Sequence, residues 1–176
     1  MIYLLHFGCQ ILLYLLNFYF LRYNCRNMFK GAGLLFFKKI NNQKLILLGK
    51  RAINPHKNFW SVPGGKMSSR DEGDFWKCAL RETKEEFFDH NFLTFDKTIS
   101  NLIPLKKSRI IIPNIFEYWT FLIDITDLDI VFKPNWEFIE IKWFELDDLP
   151  EKTHLGVKYS LFKFKFSASL FSLFFN

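Results

Sequence analysis

Residues 64–86 read GGKMSSRDEGDFWKCALRETKEE; a Pro63-Gly64-Gly65 turn opens the stretch and Arg81-Glu82-Thr83-Lys84-Glu85-Glu86 closes it. On a helix, positions i, i+3 and i+4 are neighbours. Glu82, Glu85 and Glu86 therefore share one face. Trp76, Leu80, Thr83 and Phe87 share another, roughly 130° away at about 3.6 residues per turn. The spacing predicts a helix over 75–87, with Asp74 as its N-cap. Such a helix packs with one side and carries three carboxylates on the other. Like charges at i, i+4 destabilise a helix by about 0.2–0.5 kcal/mol per pair. A divalent cation is the natural partner to offset that repulsion.

Outward from the helix, the pattern is of short strands and turns. Residues 34–38 and 44–48 read as a hairpin around Asn41-Asn42-Gln43, and residues 54–58 as a loop. Further strands are expected at 93–95, 98–103, 110–112, 116–123, 128–132 and 138–143. A short helical turn is expected at 147–150, and a closing helix over 154–171. This order suggests an α/β fold, a mixed sheet between helices in an α/β/α sandwich.

The 176 residues are one domain's worth of chain. The net charge is +6, and the basic surplus suits an anionic substrate. The three cysteines lack C-x-x-C spacing, and the four histidines form no H-x-x-x-H pair, which argues against a structural zinc site and a disulfide framework. Residues 2–21 are apolar over a length that could span a membrane, with Arg22 and Arg26 behind them. Residues 1–27 are read as an anchor, as an upstream extension foreign to the natural product, or as an extra packed helix. They are expected to be dispensable for catalysis. The domain proper is drawn over 28–153, and residues 154–176 as a C-terminal helix and apolar tail. A cytoplasmic location is expected, with the domain on the cytoplasmic side of any anchor.

The closing segment resembles the Nudix box, G-x5-E-x7-R-E-U-x-E-E-x-G-U, with U a bulky apolar residue. The match is residue by residue at Gly65, Arg81, Glu82, Glu85 and Glu86. The flanks agree at Gly31-Ala32-Gly33, at 47–51, at Trp60 ahead of Pro63-Gly64-Gly65, and at EFIEIKWFELDDLP over 137–150. The resemblance implies the Nudix sandwich and a hydrolase that cleaves the pyrophosphate of a nucleoside diphosphate linked to X. It implies Mg²⁺ or Mn²⁺ held by Glu82, Glu85 and Glu86, with Gly65 lending its carbonyl and Arg81 anchoring a glutamate. Glu82, Glu85 and Arg81 are thus the candidate catalytic residues. X would make the substrate a nucleoside triphosphate or damaged nucleotide, a nucleotide sugar or ADP-ribose. The alternative is a nucleotide-binding module with little catalysis. No specific nucleic acid is expected as partner.

Fifteen residues separate Gly65 from Arg81, two more than the pattern holds. Asp71, Glu72 or Asp74 is left to replace its first Glu. All three are expected to be individually dispensable for folding. Thr83 replaces an apolar residue, and Phe88 replaces a glycine, which is unfavourable if the helix ends in a left-handed turn. Arg51 and Lys66 are candidate phosphate contacts. Glu137 and Glu140 are candidates for substrate, metal or base duty. The five tryptophans read as core or rim packing.

Overall fold

Strand β1 (Phe29–Ile40) organises the fold because both its faces and both its edges are used. The computed structural model describes residues 28–88, 99 and 102–174, with side chains as far as 165. Around β1 lie β2 (Gln43–Arg51), β3 (Trp60–Ser61), β4 (Gly64–Lys66), β5 (Lys106–Ile112), β6 (Phe116–Asp124) and β7 (Phe138–Glu145). The C-terminal half of β1 pairs antiparallel with β2, and its N-terminal half with β4 along Gly31–Gly33. Its other edge runs parallel to β6 over Phe29–Phe37. β5 extends the sheet antiparallel beyond β6, while β3 and β7 pair with β2. The sheet is therefore mixed.

Among the described residues two helices cover the sheet: α1 (Phe75–Phe87) and α2 (Leu155–Phe174). Alternation along β1 sends Ala32, Leu34 and Phe36 into one core with Cys78, Ala79 and Phe87 of α1. Leu35 and Phe37 enter a second core with Val157, Leu161 and Phe164 of α2. Burying each large apolar side chain contributes about 1.5–3 kcal/mol, so the two layers are the main source of stability. The sandwich expected from the sequence is the one observed. Ser108 and Ser160, both buried, satisfy each other across the second layer at 2.8 Å.

Several expected elements differ. Residues 128–132 form no strand. Leu128, Ile130 and Phe132 pack as an irregular segment instead, and Lys133 makes a single bridge to Phe88. Leu102 and Ile103 are not in a strand either, and residues 89–98 lie outside the described residues. Residues 146–148 form a turn rather than a helical segment. The block 1–27, with its expected helix, also lies outside the described residues. Among the described residues no helix is long and apolar enough to cross a membrane.

Candidate active site

The acidic face of α1 is set by both helix ends. At its start, Asp74 accepts from the Trp76 N–H at 2.7 Å and the Lys77 N–H at 3.4 Å. A cap of this kind is worth about 1 kcal/mol. At its end, Phe88 has φ −125° and ψ 4°, so no left-handed residue is needed. The absence of the box glycine is thereby accommodated, and Phe88 instead packs in the core against Phe132 at 5.3 Å. The last carbonyls are taken by a distant segment: Lys133 N–H donates to Phe87 at 2.8 Å and Asn135 N–H to Glu86 at 2.9 Å. That segment leads directly to Glu137.

The three loop carboxylates have three separate roles. Asp71 is buried and receives Arg81 in a two-pronged pair, Nε to Oδ1 at 2.8 Å and Nη2 to Oδ2 at 2.9 Å. It also accepts from the Ser68 N–H at 2.7 Å. The Arg81 guanidinium holds its carboxyl far below the usual range. Glu72 is exposed and pairs with Lys77, and Asp74 caps the helix. Asp71 is thus the loop carboxylate facing Arg81, and it stands against the expectation that all three are dispensable for folding. Arg81 further reaches the Lys66 carbonyl at 3.1 Å and Glu82 Oε1 at 2.8 Å.

Glu82 and Glu86 face the glycine turn. The Gly64 N–H donates to Glu86 Oε2 at 2.7 Å. Gly64 has φ 154°, and a side chain there would fall 2.4 Å from the Tyr118 hydroxyl and 2.5 Å from the Ala32 carbonyl. A Cβ on Gly65 would lie 2.6–2.8 Å from the Glu82 carboxyl, so the missing side chain is the seat of that carboxylate. The Gly65 carbonyl itself is turned toward Gly31 and the Cys78 thiol, 3.8 Å away. Burial raises the pKa of Glu86 well above the ordinary value, and Glu137 and Glu82 push it further up against the pull of Gly64 N–H and Arg51. Burial also raises Glu82; Arg81 opposes this, while Glu85 and Glu137 add to it. Glu86 sits in the last turn of α1, where the helix dipole disfavours negative charge.

The other candidates separate by position. Glu85 is a third exposed and lies 3.5 Å from Arg81 and 3.8 Å from Arg70. Arg51 stands over Phe138 at 6.0 Å and donates to the Pro55 carbonyl at 3.1 Å, within electrostatic reach of Glu86. The Lys66 side chain is exposed on β4. Glu140 pairs with Lys142 at 2.6 Å and Lys50 at 3.6 Å, on the opposite side of β7 from the core-facing Ile141 and Trp143. It does not join Glu82, Glu86 and Glu137. Tyr118 escaped the sequence reading. Its hydroxyl lies beside Gly33 and Gly64, and burial with the nearby Glu86 holds it well above its usual pKa. Only the parallel β1–β6 pairing brings it there, so no local signal marks it.

Among the described residues no three acidic, histidine or cysteine groups converge as a ready-made metal cage. The donor chemistry nevertheless fits a divalent cation. Glu82, Glu86 and Glu137 are hard oxygen donors that repel one another in a partly dry site.

The sequence profile of the NUDIX domain matches residues 31–164. The chain belongs to the Nudix family and is a pyrophosphohydrolase. It is 29% identical over 146 residues to the bis(5′-nucleosyl)-tetraphosphatase [asymmetrical] of Caenorhabditis elegans, covering 80% of this chain and 96% of that protein. Its fold is similar to that of a C. elegans Ap4A hydrolase binary complex, with TM-score 0.60 and 22% identity over 81% of this chain and 98% of the other. It is similar as well to the Nudix hydrolase RenU of M. smegmatis, with TM-score 0.61 and 20% identity over 82% and 87% of the two chains.

Proposed function

We propose that this chain hydrolyses a nucleotide polyphosphate in a Mg²⁺- or Mn²⁺-dependent reaction, with a bis(5′-nucleosyl) tetraphosphate as the favoured substrate. The observation that carries the reading is the seating of two helix carboxylates on the Gly64-Gly65 turn: Gly64 N–H donates to Glu86 at 2.7 Å, and the Glu82 carboxyl fills the place of the missing Gly65 side chain, with Glu137 within electrostatic reach of both. Carboxylates that raise one another's cost of ionisation, with Glu86 in the last turn of the helix, are unfavourable alone, and a cation among them offsets that cost. Glu82 and Glu86 would hold it, with Glu137 and Glu85 as additional oxygen donors. A bound divalent ion neutralises phosphate oxygens and makes its water a better nucleophile.

The rest of the chemistry belongs to the chain. Gly64 N–H fixes one oxygen of Glu86, leaving the carboxyl oriented. Arg81 ties Glu82 to Asp71, so the loop and helix hold one geometry. Glu137 is the carboxylate best placed to accept the proton of an attacking water, because it is less buried than Glu86 and is not tied to Arg81. Arg51 faces the same cluster and supplies positive charge for a phosphate. Similarity to an asymmetrical tetraphosphatase, not the box, supports the tetraphosphate over the triphosphates, nucleotide sugars and ADP-ribose that the same box serves.

The full chain is incubated with bis(5′-adenosyl) tetraphosphate, ATP, ADP-ribose and a nucleotide sugar, with Mg²⁺ and with a chelator. AMP and ATP are the expected products from the first, lost on chelation. Glu86→Gln lowers the rate at least about a hundredfold while the circular dichroism spectrum is unchanged. Symmetric cleavage to ADP, or turnover unaffected by chelation, overturns the reading.

A further inference from the structure

Residues 133–137 are held at both ends. Lys133 and Asn135 N–H groups close the end of α1 on Phe87 and Glu86, at 2.8 and 2.9 Å. The Asn135 side chain accepts from the Glu137 N–H at 2.8 Å, and the Glu137 carbonyl accepts from Ala52 N–H at 2.7 Å. Just beyond, the β2–β7 register shifts between Lys50 and Arg51, leaving Ile139 as an extra residue. Bulges of this kind occur next to active sites, where they re-aim side chains.

On this fixed backbone stands Trp136, 74% exposed. The sequence reading assigned it to core or rim packing, but it is in neither core. The other four tryptophans pack against one core or the other. Consecutive Cα atoms are about 3.8 Å apart. Trp136 is therefore one residue from Asn135, which is bonded to Glu86, and one residue from Glu137, which faces Glu82 and Glu86 electrostatically. An exposed indole on a held backbone, one residue from a carboxylate within electrostatic reach of Glu82 and Glu86, is in reach of the next part of a nucleotide, its base. A large aromatic face on an already ordered backbone loses little entropy on stacking.

We propose that Trp136 is a substrate-binding residue that stacks on a nucleobase of the substrate. The assignment rests on the nucleotide polyphosphate reading above. Base–aromatic stacking of this type is sequence-tolerant and carries a sizeable share of the affinity for each base.

The full chain and its Trp136→Ala and Trp136→Phe variants are compared on bis(5′-adenosyl) tetraphosphate and on an abasic analogue in which hydrogen replaces each base. Trp136→Ala is expected to raise KM for the adenosyl substrate by about tenfold or more, the loss falling on KM rather than kcat. Trp136→Phe recovers most of it, and the loss shrinks to under about twofold on the abasic analogue. Equal losses on both substrates would show that the substitution disturbs the carboxylates, and an unchanged KM would remove Trp136 from the site. Either result overturns the proposal. Titration of indole fluorescence with AMP separates this question from catalysis. If the wild type cleaves no nucleotide, the functional reading fails, yet quenching present in the wild type and absent in Trp136→Phe still upholds stacking. Identical titrations of the two proteins sink it.

Discussion

A methyl group at position 65 is enough to separate folding from chemistry. Gly65 lies in β4, and its φ is outside the left-handed region, so alanine is tolerated by the backbone. Its Cβ would sit 2.6–2.8 Å from the Glu82 carboxyl, the far end of a flexible side chain. That carboxyl must swing away, at small cost in stability. Gly65→Ala is therefore expected to leave the unfolding free energy within about 1 kcal/mol of wild type. On the proposed reading, in which Glu82 holds a cation, the same change should lower kcat/KM at least about tenfold, because a displacement of about 1 Å is severe in a positioned site. Urea unfolding and steady-state kinetics on the same preparations check the split; a large loss of stability with normal kinetics contradicts it. The glycine was legible in the sequence as part of a turn and a box. Its actual contribution, room for a carboxylate from a helix, depends on a contact between residues seventeen apart and could not be read from either neighbourhood.

At the scale of elements, the loop 66–74 and α1 are joined through Asp71 and Arg81. Both side chains are largely out of water, at 2% and 16% exposure. Removing Asp71 takes two charge-assisted hydrogen bonds from Arg81, which keeps Glu82 and the Lys66 carbonyl, so the loss is about 1.5–3 kcal/mol. Asp71→Ala is expected to lose stability of that order in urea unfolding. Glu72→Ala should cost almost nothing, and Asp74→Ala about 1 kcal/mol through the lost cap. Equal effects from all three would mean that the loop acts only as diffuse negative charge. The bounds of α1 and its cap were legible because helical period and capping are local. The hairpin of β1 and β2 was legible for the same reason. The distinction among Asp71, Glu72 and Asp74 was not, because it depends on how the 3₁₀ turn Ser69–Asp71 folds its last residue inward toward Arg81. The missing strand at 128–132 has a similar cause. Alternating apolar residues there match a strand, yet tertiary packing against Phe36 and Phe88 uses them without pairing.

For the whole molecule, pH is the simplest probe of how these pieces balance. His154 opens α2: its Nδ1 accepts the Gly156 N–H at 3.2 Å, and its ring meets that of His56 at 4.9 Å. Burial, then the charges of His56 and Arg51, lowers its pKa from 6.5 to about 4. The folded state therefore refuses a proton that the unfolded chain accepts. This contribution is fully present above about pH 6.5 and is lost as pH falls toward 4, amounting to a few kcal/mol at about 1.4 per pH unit. Glu86 runs the other way: raised in the folded state, it weakens the fold as pH climbs above the ordinary carboxyl range. His154→Gln is expected to flatten the decline in urea midpoint between pH 7 and 5. An identical decline in wild type and variant would place the titration elsewhere. The parallel partnership of β1 with β6, which brings Tyr118 to the glycine turn, is the whole-molecule feature the sequence concealed, since long-range pairing leaves no local pattern. The closure of α1 by Lys133 and Asn135 carries a different implication, for how such a chain can change over time. The end of the helix is fastened by residues more than forty positions downstream. A change within 133–135 is therefore felt at Glu86, although it lies far from the box in the sequence.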